Sequence, residues 1–76
     1  MDIEVETGIG PWGDPEPAVF FVGSRRVAVL SIVDRWLADE HAYFKVAADD
    51  GGTYILRFDY PSGRWEMTLF SSGEQH

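Results

Sequence analysis

From Ala42 to Phe70 apolar and polar residues alternate almost without a break, and two short turns decide how the alternating segments face one another. Asp49-Asp50-Gly51 fits a three-residue hairpin loop, a type I turn closed by a glycine in the left-handed region. It sets Ala48 opposite Gly52, Val46 opposite Tyr54 and Phe44 opposite Leu56, with Lys45 opposite Ile55 and Tyr43 opposite Arg57 on the other face. A two-residue turn would oppose Phe44 and Arg57, and a one-residue slip sends every side chain to the wrong face. The second turn, Tyr60-Pro61-Ser62-Gly63, makes a four-residue loop with Pro early and Gly free to take positive φ. Asp59 then faces Arg64, Phe58 faces Trp65, Leu56 faces Met67 and Tyr54 faces Leu69. Arg57 meets Glu66 on the opposite face. One register thus yields a single apolar face and two opposite-charge pairs, an agreement between levels that marks a specified structure.

The same logic extends toward the N-terminus. Ala18–Val22 is a short apolar run, and Gly23-Ser24 suits a type II′ turn into Arg25–Val33. Val22 then pairs with Arg25, Phe20 with Val27 and Ala18 with Val29, so Ala18, Phe20, Val27 and Val29 share a face. Alternation fails from Leu30 to Val33, through burial of both faces or through a bulge that shifts the phase. Residues 34–41 read as a strand end followed by a turn at Asp39-Glu40, with a single helical turn capped by Asp34 as the alternative.

Residues 8–17 hold three Gly and three Pro, a density that excludes a helix or a central strand. Residues 1–17 are therefore expected as an extended arm with room for a short strand at Ile3–Glu6 and with Trp12 pinning it to the sheet. The expected fold is all-β. About five strands form a small antiparallel meander over 18–70, curled into a partly open barrel because no helix is available to cover its apolar face. The chain reads as one domain, with residues 71–76 as a disordered tail.

Composition narrows the options. A chain of 76 residues buries only about 60% of its unfolded surface, and without cysteine it has neither disulfides nor thiolate metal ligands. Three Trp, three Tyr and five Phe must supply the core. Small unstapled domains gain stability by associating, so a monomer and a homodimer both remain open. No segment reaches the roughly 20 apolar residues of a membrane span, and the acidic start, Met1-Asp2-Ile3-Glu4, lacks the regions of a signal peptide. A cytoplasmic location is the expectation. The formal net charge is −7. Residues 1–24 carry five acids and no base, and residues 25–76 carry eight acids against six bases, a net of −2. Such a balance opposes phosphate backbones and suits a basic protein partner.

Candidate chemistry is sparse. Asp39-Glu40-His41 is the only compact cluster of carboxylate and imidazole, and a solvated turn explains it as well as a metal site does. The serines sit in no nucleophile elbow, and the glycines of residues 8–13 lack the strand and helix of a phosphate loop. No catalytic, metal or cofactor site is expected. Arg25, Arg26, Arg35, Lys45, Arg57 and Arg64 interleave with aromatics, as in barrels that bind single-stranded nucleic acid. The register, however, pairs Arg57 and Arg64 with acids and sends Phe44, Phe58 and Trp65 to the core. Trp12 and Trp36 are either recognition anchors or plugs for the barrel ends, and in so short a chain plugging is the default.

The pattern Gly23-Ser24-Arg25-Arg26-Val27, Val33-Asp34-Arg35-Trp36, Tyr43-Phe44-Lys45-Val46, Asp49-Asp50-Gly51-Gly52-Thr53-Tyr54, Asp59 and Ser62-Gly63-Arg64-Trp65 resembles an uncharacterised family of small bacterial all-β domains. It is also similar to the C-terminal segment of Y-family-like polymerase proteins of mutagenesis cassettes. The resemblance spans roughly residues 20–70. The chain departs from the polymerase tails at Arg35-Trp36, where they carry paired tryptophans, and at Glu66–Phe70, where they carry a glycine near the end. The resemblance implies a non-enzymatic accessory module with a protein partner, linked to DNA damage tolerance. The candidate partner-binding residues are Trp12, Asp34, Arg35, Trp36 and Tyr43. Direct binding of single-stranded nucleic acid is the alternative function.

Overall fold

A computed structural model describes the backbone of residues 1–71 and the side chains of residues 1–68. Six antiparallel strands follow one another around a closed barrel: β1 (Asp2–Ile9), β2 (Pro15–Val22), β3 (Arg25–Leu37), β4 (His41–Ala48), β5 (Thr53–Asp59) and β6 (Arg64–Ser71). The all-β antiparallel meander matches the expectation. The sixth strand comes from the segment read as an arm. Pro11-Trp12-Gly13 is a three-residue hairpin loop like Asp49-Asp50-Gly51. Gly10 N–H donates to the Asp14 carbonyl (2.7 Å), Gly13 N–H donates to the Gly10 carbonyl (3.0 Å), and Gly13 takes φ of 81°. β1 then meets β6 through Asp2↔Glu66 and Ile3↔Trp65, which closes the barrel. Ser71 ends β6 rather than opening a tail, and the rest of the expected tail, 72–76, lies outside the described residues.

The turns behave as their chemistry demands. Gly23 has φ of 63° while Ser24 stays at negative φ, which fits type II′ and excludes type I′. Asp39-Glu40 is a turn, closed by Ala38 N–H on the His41 carbonyl (2.9 Å), so the helical alternative for 34–41 is not taken. The β4–β5 register is as expected from Phe44↔Leu56 to Val46↔Tyr54. The β5–β6 register holds from Asp59↔Arg64 to Leu56↔Met67 and then shifts, so that Leu69 lies opposite Ile55 and Phe70 opposite Tyr54. The expected Tyr54–Leu69 pair is therefore replaced. Thr68, whose hydroxyl donates to the Ile55 carbonyl (3.1 Å), is the residue the shift passes over.

The core joins Phe20, Val27, Ala42, Phe44, Val46, Ala48, Tyr54, Leu56 and Trp65. Rings interlock at its centre, with Phe20 edge-on to Tyr54 at 4.8 Å and Trp65 against Phe58 at 4.8 Å and Phe44 at 5.6 Å. Phe20 and Val27 pair and are buried as expected, but Ala18 is exposed. The cause lies in the β1–β2 ladder, which steps from Glu6↔Val19 to Thr7↔Pro17 and leaves Ala18 as the extra residue. Past that bulge Pro17 is buried in its stead.

Candidate protein-binding face

Two β-bulges shape the second half of β3. The β3–β4 register shifts between Val29 and Ser31 and again between Ile32 and Asp34. In β4 the side chains of Ala42, Phe44, Val46 and Ala48 are buried. Their partners Arg35, Ile32 and Val29 therefore point the same way, toward the interior, whereas Leu37, across from Ala42 at the end of the strand, is 47% exposed. The residues between them face outward. Each bulge adds one more outward position, so Leu30, Val33 and Trp36 recur every third residue on the outer surface. They are 70%, 57% and 47% exposed. Straight alternation from Val27 would have turned Val33 inward and Ile32 outward. Trp36 lies directly across from Tyr43, whose ring meets His41 edge-on at 5.3 Å. An outward row of three large apolar side chains with a flanking aromatic is an exposed patch that solvent alone does not explain.

The five residues singled out in the sequence divide into two groups. Asp34, Trp36 and Tyr43 belong to the outer face, with Asp34 opposite Lys45. Arg35 points inward and serves the other group. Its guanidinium lies 3.1 Å from Glu16 Oε2 and 5.4 Å from the centre of the Trp12 ring. Both members of the ion pair are 24% exposed. Trp12 itself is 69% exposed. Neither Trp12 nor Trp36 plugs a barrel end, which corrects the default reading. Sequence reasoning missed Leu30 and Val33, although the lost alternation between them was the signal of a bulge.

Arg35 occupies an opening in the wall. β2 and β3 pair only from Val19↔Ala28 to Val22↔Arg25. Beyond that point β2 carries Pro17 and Pro15 opposite Thr7 and Ile9 of β1. In the alternation of the ladder these positions aim their backbone nitrogens away from β1, toward β3. Proline has no hydrogen to offer there, so the β2–β3 ladder stops. The Arg35–Glu16 pair and the Trp12 ring bridge the resulting gap.

Cations elsewhere are similarly engaged. Arg25 lies 3.2 Å from Asp50, Arg57 3.6 Å from Asp59 and Arg64 3.7 Å from Asp2. The expected partners were different: Arg57 with Glu66, and Arg64 with Asp59. Both pairs are in register, but Asp59 Oδ2 is taken by Ser62, from N–H (3.1 Å) and hydroxyl (2.6 Å), and Oδ1 turns along the strand to Arg57. The Ser62 donors, foremost, hold the Asp59 carboxyl below its ordinary pKa. Arg64 reaches instead across the closing seam to β1. Among the described residues no three His, Asp or Glu side chains gather as a metal site, and no helix is long and apolar enough to cross a membrane. No protein-family model matches the chain, nor does any curated protein or solved structure.

Proposed function

We propose that the chain is a non-enzymatic accessory module that docks a protein partner on the outer face of β3, with Leu30, Val33 and Trp36 as anchors and Tyr43 and Asp34 beside them. The outward turn of three large apolar residues by two bulges carries this reading. Bulges recur where a strand re-aims side chains for use, and a Trp flanked by aliphatic neighbours is the composition of an interface centre. The Trp12–Arg35–Glu16 bridge holds the adjoining gap in the wall. Its role in this reading is to fix β3 from behind.

Direct nucleic-acid binding has less support. Arg25, Arg35, Arg57 and Arg64 each lie within 4.0 Å of a carboxylate, which leaves Arg26 and Lys45 to meet phosphates in a chain of net charge −7. A labelled single-stranded oligonucleotide titrated at low salt is expected to show no binding up to high-micromolar protein.

The partner surface is tested by a photo-crosslinking residue placed at Trp36 in the native cell, with Thr68 on the outer face of β6 as control. A discrete adduct from position 36 that is absent from position 68, and that fades in Leu30→Glu and Val33→Glu backgrounds, supports the face. Equal adducts at both positions, or none at either, overturn it. The resemblance to polymerase tails sets the context in damage tolerance. There, loss of the chain is expected to lower damage-induced mutation frequency, and an unchanged frequency removes that context while leaving the face to its own test.

A further inference from the structure

β1 pairs with β6 over a short seam and with β2 over nearly its full length. The β6 register covers Asp2 and Ile3, whereas the β2 register runs on to Ile9↔Pro15. Met1 and Met67 exchange two backbone bonds, Met67 N–H to the Met1 carbonyl (2.8 Å) and the Met1 ammonium to the Met67 carbonyl (3.4 Å). Residues 1 and 3 therefore turn their backbone groups toward β6. By the alternation of an antiparallel ladder Val5, Thr7 and Ile9 turn theirs to the same edge. The extra residue of the β1–β2 bulge is Ala18, on β2, so β1 keeps its alternation throughout. Past Ile3 the described residues include no strand that pairs with this edge.

A groove of about 760 Å³ runs beside the start of this free edge, lined by Ile3, Val5, Phe21 and Trp65 together with Glu4 and Glu6. Asp2 and Arg64 also line it, and Arg64 is held by Asp2 at 3.7 Å. We propose that the edge is a strand-addition site for an extended basic segment of a protein, which pairs with Val5, Thr7 and Ile9 and continues the sheet where β6 leaves off. Unpaired backbone donors and acceptors on an edge strand are the template for this mode of recognition. Five residues from Val5 to Ile9 span about 17 Å at roughly 3.4 Å each, so a segment of similar length fills the edge.

Charge selects the occupant. Glu4 and Glu6 are exposed on the outer surface of β1, and residues 1–24 contain no base. A second copy paired over Val5–Ile9 brings Gly8 and Gly10 across from Glu6 and Glu4 and no base to meet either acid. A segment with Lys or Arg on alternate residues matches Glu4 and Glu6, while its apolar alternates continue the side of Ile3 and Val5. Ile9, 80% exposed at the end of the edge, gains cover in the same step. This edge is separate from the outer face of β3, so the two proposals stand or fall independently.

The test is titration of the full ¹⁵N-labelled chain with a capped seven-residue peptide of alternating Lys and Val, read from backbone amide shifts. Shifts centred on Val5, Thr7 and Ile9 are expected. N-methylation of every second residue is expected to weaken binding at least tenfold in the phase that faces β1 and little in the other phase. A Glu4→Lys/Glu6→Lys variant, altered only at exposed positions, is expected to lose binding tenfold or more while its amide dispersion stays that of the folded chain. Equal binding by both methylated peptides reduces the contact to bulk charge and overturns the proposal. So do shifts centred on Trp36 and Tyr43, or no shift at millimolar peptide. Sedimentation of the free chain as a dimer that Glu4→Lys/Glu6→Lys tightens assigns the edge to a second copy and likewise overturns it.

Discussion

Tyr54 shows how one side chain in this small core serves two purposes. Its ring is buried against Phe20, while its hydroxyl emerges beside the β4–β5 loop and donates to Asp50 Oδ2 at 2.6 Å. Arg25 reaches the same carboxylate oxygen at 3.2 Å and the Tyr54 hydroxyl at 3.4 Å, so the β2–β3 turn is tied to the β4–β5 loop. Asp50 Oδ1 accepts the Gly52 N–H at 2.8 Å, which stiffens the loop itself. The Tyr54 hydroxyl, ahead of the Gly52 amide and the Arg25 charge, holds the Asp50 carboxyl below its ordinary pKa of 3.8. Burial, then the neighbouring Asp50, pushes the Tyr54 phenol above 10.0. Because the Asp50 pKa is depressed on folding, its contribution is present above the unfolded value near 4 and is lost as pH falls through the lower folded value. The raised Tyr54 pKa works in the other direction: its contribution is present below about 10 and is lost as pH rises through the folded value. Tyr54→Phe keeps the ring packing and removes the hydroxyl. It is expected to destabilise the chain by about 1.5 kcal/mol at neutral pH, the scale of a hydrogen bond to a charged group. Urea unfolding at pH 7 and pH 3 is the check, with the gap between wild type and variant shrinking at the acid end. A gap that is constant with pH would mean that the hydroxyl acts through packing rather than through Asp50.

At the scale of the strand, β3 is the informative element, because its two bulges invert the facing that simple alternation gives. Ile32 packs against the core and Val33 is exposed. Val33→Lys is therefore expected to change stability by no more than about 0.5 kcal/mol. Ile32→Lys places a charge where an apolar side chain packs and is expected to cost about 2 kcal/mol or more. Thermal or urea unfolding of the pair decides between bulged and regular strands, since a regular β3 reverses the order of the two effects. The other strands were easier to read. Gly23, Gly51 and Gly63 all adopt positive φ, and each sits in a turn whose length sets the register of the strands it joins. With those turns placed, Phe44, Val46, Tyr54, Leu56 and Trp65 fall inward by alternation alone. The first hairpin escaped because Gly and Pro density suggested a loose arm. Pro11-Trp12-Gly13 nevertheless carries the same turn chemistry as Asp49-Asp50-Gly51, and Pro15 and Pro17 sit on an edge where no N–H is required. The number and position of bulges were not legible, since an extra residue leaves no mark beyond a run such as Leu30–Val33 with no clear phase. Hence Tyr43, opposite Arg57, could be placed on an outer face from sequence, whereas Trp36 reads by default as a plug and Leu30 and Val33 have no assigned facing. The pairing of Arg35 with Glu16 is a contact between segments that no local pattern encodes.

At the scale of the whole barrel, two places in the wall are weaker than the rest: the β2–β3 gap behind Arg35 and the β1–β6 seam. The seam is the shorter join, with two strand pairs and the Met1–Met67 backbone bonds. The ion pairs across it, Arg64 with Asp2 at 3.7 Å and the N-terminal ammonium with Glu66 at 4.0 Å, are exposed and add little. A join with so few pairs is expected to open below the free energy of global unfolding. Amide exchange at Met67 should therefore outpace that at Val46 and Leu56. The seam also offers a direct way to measure what closure contributes. Because Met1 and Met67 form a doubly bonded pair, Asp2 and Glu66 are the adjacent non-hydrogen-bonded pair, where Cα atoms approach to about 4.5 Å, within the range a disulfide accepts. The chain has no cysteine, so Asp2→Cys/Glu66→Cys introduces a single bond with no competing thiol. The loop it closes runs through nearly the entire barrel, for which chain-entropy reasoning gives about 4 kcal/mol. The oxidised variant is expected to unfold at a higher urea midpoint than its reduced form by close to that free energy, and to slow Met67 exchange to the rate of the core amides. If closure by β1 is correct, the bond forms without strain and both changes occur together. A variant that fails to oxidise while folded, or that gains no stability on oxidation, would show that β1 does not lie against β6 in solution and that the barrel stands open on that side.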